Sequence, residues 1–278
     1  MTILAIDFMN ACHRARSGFK LGPAPVVFNF FRQFRSLVGQ FEPTQIYVAL
    51  EGRPRARHEL HSEYKANRTV EPDDPRANEL LEFFKQVNVI KDLLTQYFPV
   101  SVIRHPHHEA DDTIANIIRN STSSDDWIVI SSDTDFIQLI QENNNVRIYN
   151  PVTKKFVEAP SDYSYVIWKA LRGDPTDNIP GIPGCGDKTA AKLAEAVDTD
   201  EFKNYLLQED HAKIFEKNIE LIQFAEWTNE ETLEMTCSIP SQNWNSIKTV
   251  FEGYGFSSMV KSGSWEKFVN TFKLLFNN

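Results

Sequence analysis

Short apolar runs alternate with longer amphipathic ones along the first half of the chain. Residues 2–6 (TILAI), 45–50 (QIYVAL), 100–104 (VSVIR) and 127–131 (WIVIS) are almost continuously apolar. Runs of that length read as strands buried on both faces of a parallel sheet. VRIYN at 146–150 predicts one more. Between the first two runs, Val27, Phe30, Phe31, Phe34, Leu37, Val38 and Phe41 recur at helical spacing. Leu80, Phe83, Phe84, Val87, Ile90 and Leu94 do the same within 76–98. Strands alternating with helices predict a parallel α/β domain over 1–157. The strand signal then fades, and 158–278 reads as a helical second domain. It is interrupted by GDPTDNIPGIPGCGDK at 173–188, too dense in Gly and Pro for helix.

Composition narrows the class. Of 278 residues 41% are hydrophobic and 12% aromatic, enough to bury a real core. No apolar run approaches the roughly 20 residues of a membrane span. The opening MTILAIDFMN is broken by Asp7 and has no basic lead-in, so no secretory signal is expected. Three scattered cysteines, Cys12, Cys185 and Cys237, give neither a disulfide framework nor a Cys-rich zinc site. A reducing cytoplasm is the expected location.

The net charge of -9 argues against nucleic-acid binding until its distribution is considered. Arg53, Arg55, Arg57, Lys65 and Arg68 fall within RPRARHELHSEYKANR, together with His58 and His61. The acids are placed with equal bias. Asp7 follows the first strand, Glu51 the second, Asp133 and Asp135 the fourth, and Glu109, Asp111 and Asp112 the third after a short loop. In a parallel sheet these positions share the carboxyl edge, where open α/β sheets place their sites. One Asp after a strand is ordinary turn or capping chemistry. Four strand ends in register are not explained that way.

Carboxylates gathered this closely raise one another's pKa and call for a cation. Oxygen ligands favour Mg²⁺ or Mn²⁺, whereas zinc would want imidazole or thiolate at useful spacing. His107 and His108 of HHEADD are adjacent and lack the second histidine of HExxH, so zinc is not expected. At about 100° per residue, Glu109 and Asp112 lie about 60° apart on a helix and Asp111 about 100° from Asp112. Asp111 borders the apolar face of Ala110, Ile114, Ile117 and Ile118 most closely. One rigid helix does not easily aim all three at one ion, which favours two ions or a helix that starts within the motif. Asp174 and Asp177 of GDPTDN complete nine candidate ligands. Setting those nine aside leaves as many acids as the 29 Lys plus Arg.

GIPGCGDKTAAKL has the form of a hairpin between helices. Gly184 and Gly186 let backbone N–H groups approach a phosphate, and the next helix begins there with Lys188 and Lys192. This predicts contact with a DNA backbone and no base readout.

An early strand ending in Asp7, then EYKANR, EADD, SSDTDF, GDPTDN and GIPGCGDK occur in that order over residues 3–190. Together they resemble the bacteriophage and bacterial 5′-nuclease family of flap endonucleases and 5′–3′ exonucleases. The resemblance implies a PIN-like parallel-sheet nuclease domain with a helical arch at about 53–98. It also implies a helix–three-turn–helix DNA-binding module at about 173–195. It assigns Asp7, Glu109, Asp111 and Asp112 to one metal site and Asp133, Asp135, Asp174 and Asp177 to a second. Lys65, Arg68 and Arg14 become catalytic residues at the scissile phosphate, Arg53, Arg55 and Arg57 become DNA contacts of the arch, and the hairpin gains a bound K⁺. Glu51 stands where the family has Asp, and Phe8 replaces a common Gly.

The implied activity is Mg²⁺- or Mn²⁺-dependent hydrolysis of DNA at 5′ flaps and 5′ ends, in phage or bacterial replication and repair, by a two-ion mechanism. The expected partner is DNA with a 5′ single-stranded flap or end, with an RNA primer in a hybrid as a further substrate, and the chain is expected to act as a monomer. With no polymerase sequence within these 278 residues, the expectation is a stand-alone, phage-type enzyme. Three other readings compete with it: a ribonuclease using the same carboxylate sheet, a catalytically dead junction-binding protein, and a glycosylase that borrows the hairpin.

Overall fold

The computed structural model describes residues 1–20, 22–68, 74–121, 125–208 and 210–276. The chain runs β1 (Thr2–Asp7), α1 (Phe8–Arg16), α2 (Pro25–Phe41), β2 (Gln45–Leu50), α3 (Arg55–Leu60), α4 (Ala77–Tyr97), β3 (Ser101–Arg104) and α5 (Ala110–Arg119). It continues through β4 (Asp126–Ile130), α6 (Ile137–Glu142), β5 (Val146–Asn150), β6 (Lys155–Phe156), α7 (Tyr165–Arg172), β7 (Gly173–Asp174) and β8 (Ile179–Pro180). The last part holds α8 (Asp187–Glu195), α9 (Asp200–Leu206), α10 (His211–Ile222), α11 (Asn229–Glu234), β9 (Thr236–Cys237), α12 (Trp244–Gly253), α13 (Ser257–Val260) and α14 (Ser264–Thr271).

Among the described residues seven strands form the main sheet, in the order β6-β5-β4-β1-β2-β3-β9. The inner five are parallel, and β6 and β9 are short antiparallel edges. Because β1 has β2 on one side and β4 on the other, strand order reverses there. A crevice opens at the carboxyl ends, as it does in other doubly wound sheets. Asp7 ends β1 at the mouth of that crevice.

The amphipathic runs pack as their spacing predicts. Pro25, with its fixed φ, opens α2, which buries Val27, Phe30, Phe31, Phe34 and Val38 against one face of the sheet. From Phe83 onward α4 joins the same layer through Val87, Ile90, Leu93 and Leu94. That limits the expected 53–98 arch: most of α4 is core, and any arch is confined to its first turns and the segment before it. Residues 69–73 of that segment lie outside the described residues. Phe84, counted in the apolar stripe, is 43% exposed. On the opposite face, Ile114 and Ile118 of α5 pack with Phe136, Leu139 and Phe224.

The division at 157/158 requires a correction. Helices α7 to α10 form a second unit with its own small core of Leu171, Ile182, Ala190, Leu193 and Phe202. The chain then returns to the first unit: β9 pairs with β3, and α12 to α14 pack on α2 and α4. Phe98 stacks on Phe31 with ring centroids 4.9 Å apart and meets Phe272 at 5.5 Å. Residues 236–276 therefore belong to the α/β domain. The drive is aromatic burial, since one face of the sheet would otherwise leave these rings in water. Among the described residues no helix is long and apolar enough to cross a membrane.

Candidate active site

The site is built at the sheet's carboxyl edge. Asp7 caps α1 by accepting from Asn10 N at 3.0 Å, and it accepts from Ser131 Oγ at 3.2 Å. Asn10 in turn clasps Ser132 through Nδ2–Oγ and N–Oδ1 contacts of 2.8 and 3.2 Å, tying the ends of β1 and β4 together. Burial, together with the charge of Asp133, pushes the Asp7 carboxyl up to about 6. Glu51 is exposed on its outer side but accepts from Ala110 N at 3.1 Å, and the partial cover of its carboxyl, with Asp7 and Glu109 nearby, pushes it up to about 7. Asp133 folds back on Asp135 N at 2.9 Å.

Glu109 is the N-cap of α5, so the helix does start within HHEADD. Oxygens of Glu109, Asp111 and Asp112 then come within 4.8 Å of one another. The three are not equivalent. Asp112 is fully buried, whereas Asp111, expected nearest the apolar face, is only partly covered. Both Asp112 oxygens are held, by Arg57 at 2.6 and 2.8 Å and by Ala225 N at 2.9 Å. Helix phase alone could not foresee this, because the counter-charge arrives from another element. Burial and the charges of Asp112 and Glu109 raise the Asp111 carboxyl well above the usual range.

Arg57 was grouped with the surface DNA contacts, and that needs correcting. It is 7% exposed, bonds Glu109 at 2.6 Å as well as Asp112, and donates to Leu221 O and Gln223 O. No face of the guanidinium is left for a phosphate. Arg53 and Arg55 are exposed as expected, with Arg55 paired to Glu59 at 2.9 Å.

A second triad forms where the α7–α10 unit meets the sheet. Oxygens of Asp135, Asp174 and Asp177 come within 4.8 Å of one another. Segment 61–68 is buttoned onto this turn: Lys65 N donates to Asp177 O at 3.0 Å and Asn178 Nδ2 to Glu63 O at 2.9 Å. His61 Nε2 meets Asn178 O at 2.8 Å and, facing a carbonyl, must be the donor. The clasp holds Lys65 at φ 55, a left-handed conformation that costs a non-glycine residue of order 1–3 kcal/mol. The strained backbone aims Nζ at Glu109 and, 3.5 Å away, at Asp177. Burial alone would lower the Lys65 pKa, but Glu109, Asp111 and Asp177 outweigh it and raise it. Arg68 pairs with Asp177. Arg14 stands beside Asp7; burial pushes it down to about 10. Its Nε donates to Gln33 at 2.7 Å, while Nη1 is buried with no hydrogen-bond partner among the described residues.

Two functional-looking groups escaped the sequence reading. Tyr64 donates its hydroxyl to Glu109 at 2.7 Å. Lys169, 5% exposed, ion-pairs with Asp135 and, at 2.6 Å, with Asp174. A lone lysine inside the apolar run YVIWKAL was the available signal for a buried carboxylate partner. Burial pushes the Asp174 carboxyl up, yet Lys169 outweighs that and holds it below the usual range; for Asp135 burial prevails.

The hairpin follows Asp174 and Asp177 of the second triad along the chain and leads by turns from β8 into α8. Gly184 has φ 77, which favours glycine, and an added Cβ at Gly184 or Gly186 would meet nothing within 4 Å. Both glycines and Lys188 are exposed, and Lys192 is paired with Glu201 at 2.7 Å. The donor set of the triads is all carboxylate oxygen, which suits a hard divalent ion. A cleft of about 430 Å³ lined by Arg68, Asp133, Asp135, Trp168, Lys169 and Asp174 opens from the second triad.

Comparison with known proteins places this architecture. The model of the 5′-3′ exonuclease N-terminal resolvase-like domain matches residues 3–166. DNA polymerase I of Caldicellulosiruptor bescii is 28% identical over 267 residues, covering 86% of this chain and 30% of that protein. DNA polymerase I of Mycobacterium bovis is 33% identical over 180 residues, 60% of this chain and 19% of that protein. The chain thus spans less than a third of the length of these relatives. The crystal structure of T5 D15 protein co-crystallised with metal ions superposes with a TM-score of 0.67 at 16% identity, covering 99% of this chain and 100% of that one. Human GEN1 in complex with Holliday junction DNA gives 0.55 at 15% identity, over 98% and 71%. The strand-end carboxylates and the matched domain lead to one conclusion: this chain belongs to the 5′-3′ exonuclease family of nucleases.

Proposed function

We propose that the protein is a structure-specific 5′-nuclease that hydrolyses DNA phosphodiesters at 5′ flaps and 5′ ends with Mg²⁺ or Mn²⁺. The observation that carries this reading is the convergence of two carboxylate triads on Lys65, which contacts a member of each. Glu109, Asp111 and Asp7, with Glu51 behind them, would hold one ion; Asp135, Asp174 and Asp177, with Asp133, would hold the other. Such ions, when bound, activate water and neutralise charge on the scissile phosphate.

The chain's own groups supply the rest. The Nη1 of Arg14 is buried with no hydrogen-bond partner among the described residues, so its charge near Asp7 would act on a phosphate through its field or after a shift of the side chain. Lys65 and Arg68 carry positive charge to the same place from the clasped segment, and a preorganised cation stabilises a phosphorane-like charge without reorganising during the reaction. Arg57 and Tyr64 orient Glu109. Arg53, Arg55, Lys188, the glycine hairpin and Lys192 would track the DNA backbone, with a monovalent ion at the hairpin. The T5 D15 flap endonuclease complex with DNA and metal ions, alike in fold at a TM-score of 0.65 and 17% identity, supports DNA as the substrate. The test is a 5′-labelled flap oligonucleotide incubated with Mg²⁺, with EDTA, and with Asp133→Ala. Cleavage is expected only by the wild type in Mg²⁺. An uncut flap, or equal cutting by Asp133→Ala, would sink the proposal.

A further inference from the structure

We infer that Lys169 is a built-in counter-ion of the triad Asp135, Asp174 and Asp177, and that a divalent ion enters this triad by displacing its ammonium. The inference rests on reading the triad as an ion site. Three observations carry it. Lys169 Nζ contacts Asp174 Oδ2 at 2.6 Å and Asp135 Oδ1 as well, so it occupies two of the three ligands. The side chain is buried, 6% exposed, and is flanked in its helix by apolar Val166, Ile167, Ala170 and Leu171, so these carboxylates are its main electrostatic support, beside the Tyr165 ring 6.0 Å away. One oxygen from each of Asp135, Asp174 and the third ligand, Asp177, lies within 4.8 Å of the other two.

An ion bound by the same oxygens would lie within a few ångströms of the ammonium. Like charges at that separation in a half-buried site repel strongly. One of them must leave, and the lysine has both the means and the room. Its four-carbon stem is flexible. The cleft of about 430 Å³ beside the triad, walled by Tyr165, Trp168 and Arg172, can receive the displaced head. Two ion pairs are broken when the ion enters, so affinity at this triad is lower than three carboxylates would give. The released ammonium then points into the space where a DNA phosphate would bring negative charge. Ion and phosphate binding therefore reinforce one another, and the reinforcement is reciprocal.

The experiment is calorimetric titration of Mn²⁺ into the full chain as wild type, Lys169→Met and Asp174→Asn, with thermal melts in EDTA and in Mn²⁺. Lys169→Met is expected to bind Mn²⁺ at least about fivefold tighter, the low end of common coupling strengths. It should also melt lower in EDTA and regain stability in Mn²⁺. Equal or weaker Mn²⁺ binding overturns the inference, and Lys169 would then orient the carboxylates instead of competing with the ion. Should Lys169→Met not fold, acetylation of the wild type read by peptide mass spectrometry replaces it. Mg²⁺ should expose Lys169 to acetic anhydride several-fold, and unchanged labelling overturns the inference equally. If Asp174→Asn binds Mn²⁺ as the wild type does, the ion-site reading itself is overturned, a result separable from the behaviour of Lys169.

Discussion

Arg57 closes on both oxygens of Asp112, Nη1 to Oδ2 at 2.6 Å and Nη2 to Oδ1 at 2.8 Å, with neither residue more than 7% exposed. The same guanidinium holds Glu109 and two carbonyls of segment 221–223. It therefore fixes the start of α5 to the end of α10. Arg57→Ala leaves a buried carboxylate without its partner, and removing one member of such a pair costs about 3–5 kcal/mol. A large fall in the urea midpoint is expected. Arg57→Lys should recover little of it, because an ammonium cannot make the forked contact. An unfolding free energy within about 0.5 kcal/mol of wild type for Arg57→Ala would mean that the pair is not a brace.

Lys65→Ala should lower turnover on a 5′ flap by about 10²- to 10³-fold, the loss common for one preorganised electrostatic donor. Duplex affinity should change less than about threefold, since Lys65 acts at the cleavage point and not along the backbone path. Equal losses in single-turnover rate and in duplex Kd would reduce Lys65 to a tether.

Stability should vary with pH in a defined direction when metal is chelated. Asp7 at about 6 and Glu51 at about 7 lie above ordinary carboxylates, so the folded chain holds protons that the unfolded chain has lost. Their contribution is complete below about pH 4 and disappears as pH rises through 6–7. In EDTA the melting temperature should drop between pH 5 and pH 8 by roughly 2–4 °C, the shift that about 1 kcal/mol gives a chain of this size. Mg²⁺ should reverse the drop at pH 8 and do little at pH 5. A flat profile in EDTA would contradict the crowding of these acids.

Lys188→Ala should weaken duplex binding uniformly across sequences and flatten the slope of log K against log salt by about 0.9, the effect of one lost phosphate contact. The single-turnover rate at saturating DNA should stay near wild type. An unchanged salt slope would remove the hairpin helix from the DNA path.

Much of this was legible along the chain because the relevant physics is local. Apolar runs and their spacing predicted the five parallel strands and α2 to within two residues, since a chain that buries both faces of a sheet must be apolar throughout. The order of the acid-bearing motifs placed the candidate ligands at strand ends, because topology turns sequence order into a shared edge. What depended on partners far away in sequence was not legible. Arg57 looks like any member of a basic run until Asp112, 55 residues away, draws it inside. Lys169 looks misplaced in an apolar helix until Asp135 and Asp174 surround it. The return of residues 236–276 to the first domain required a sheet edge at β3 and aromatic surface on α2 and α4 to dock against. The sequence by itself determined the elements and the chemistry carried at their ends. Only the tertiary structure decided which charges are buried, because the cost of burying a charge depends on what neutralises it, and that partner comes from elsewhere in the fold.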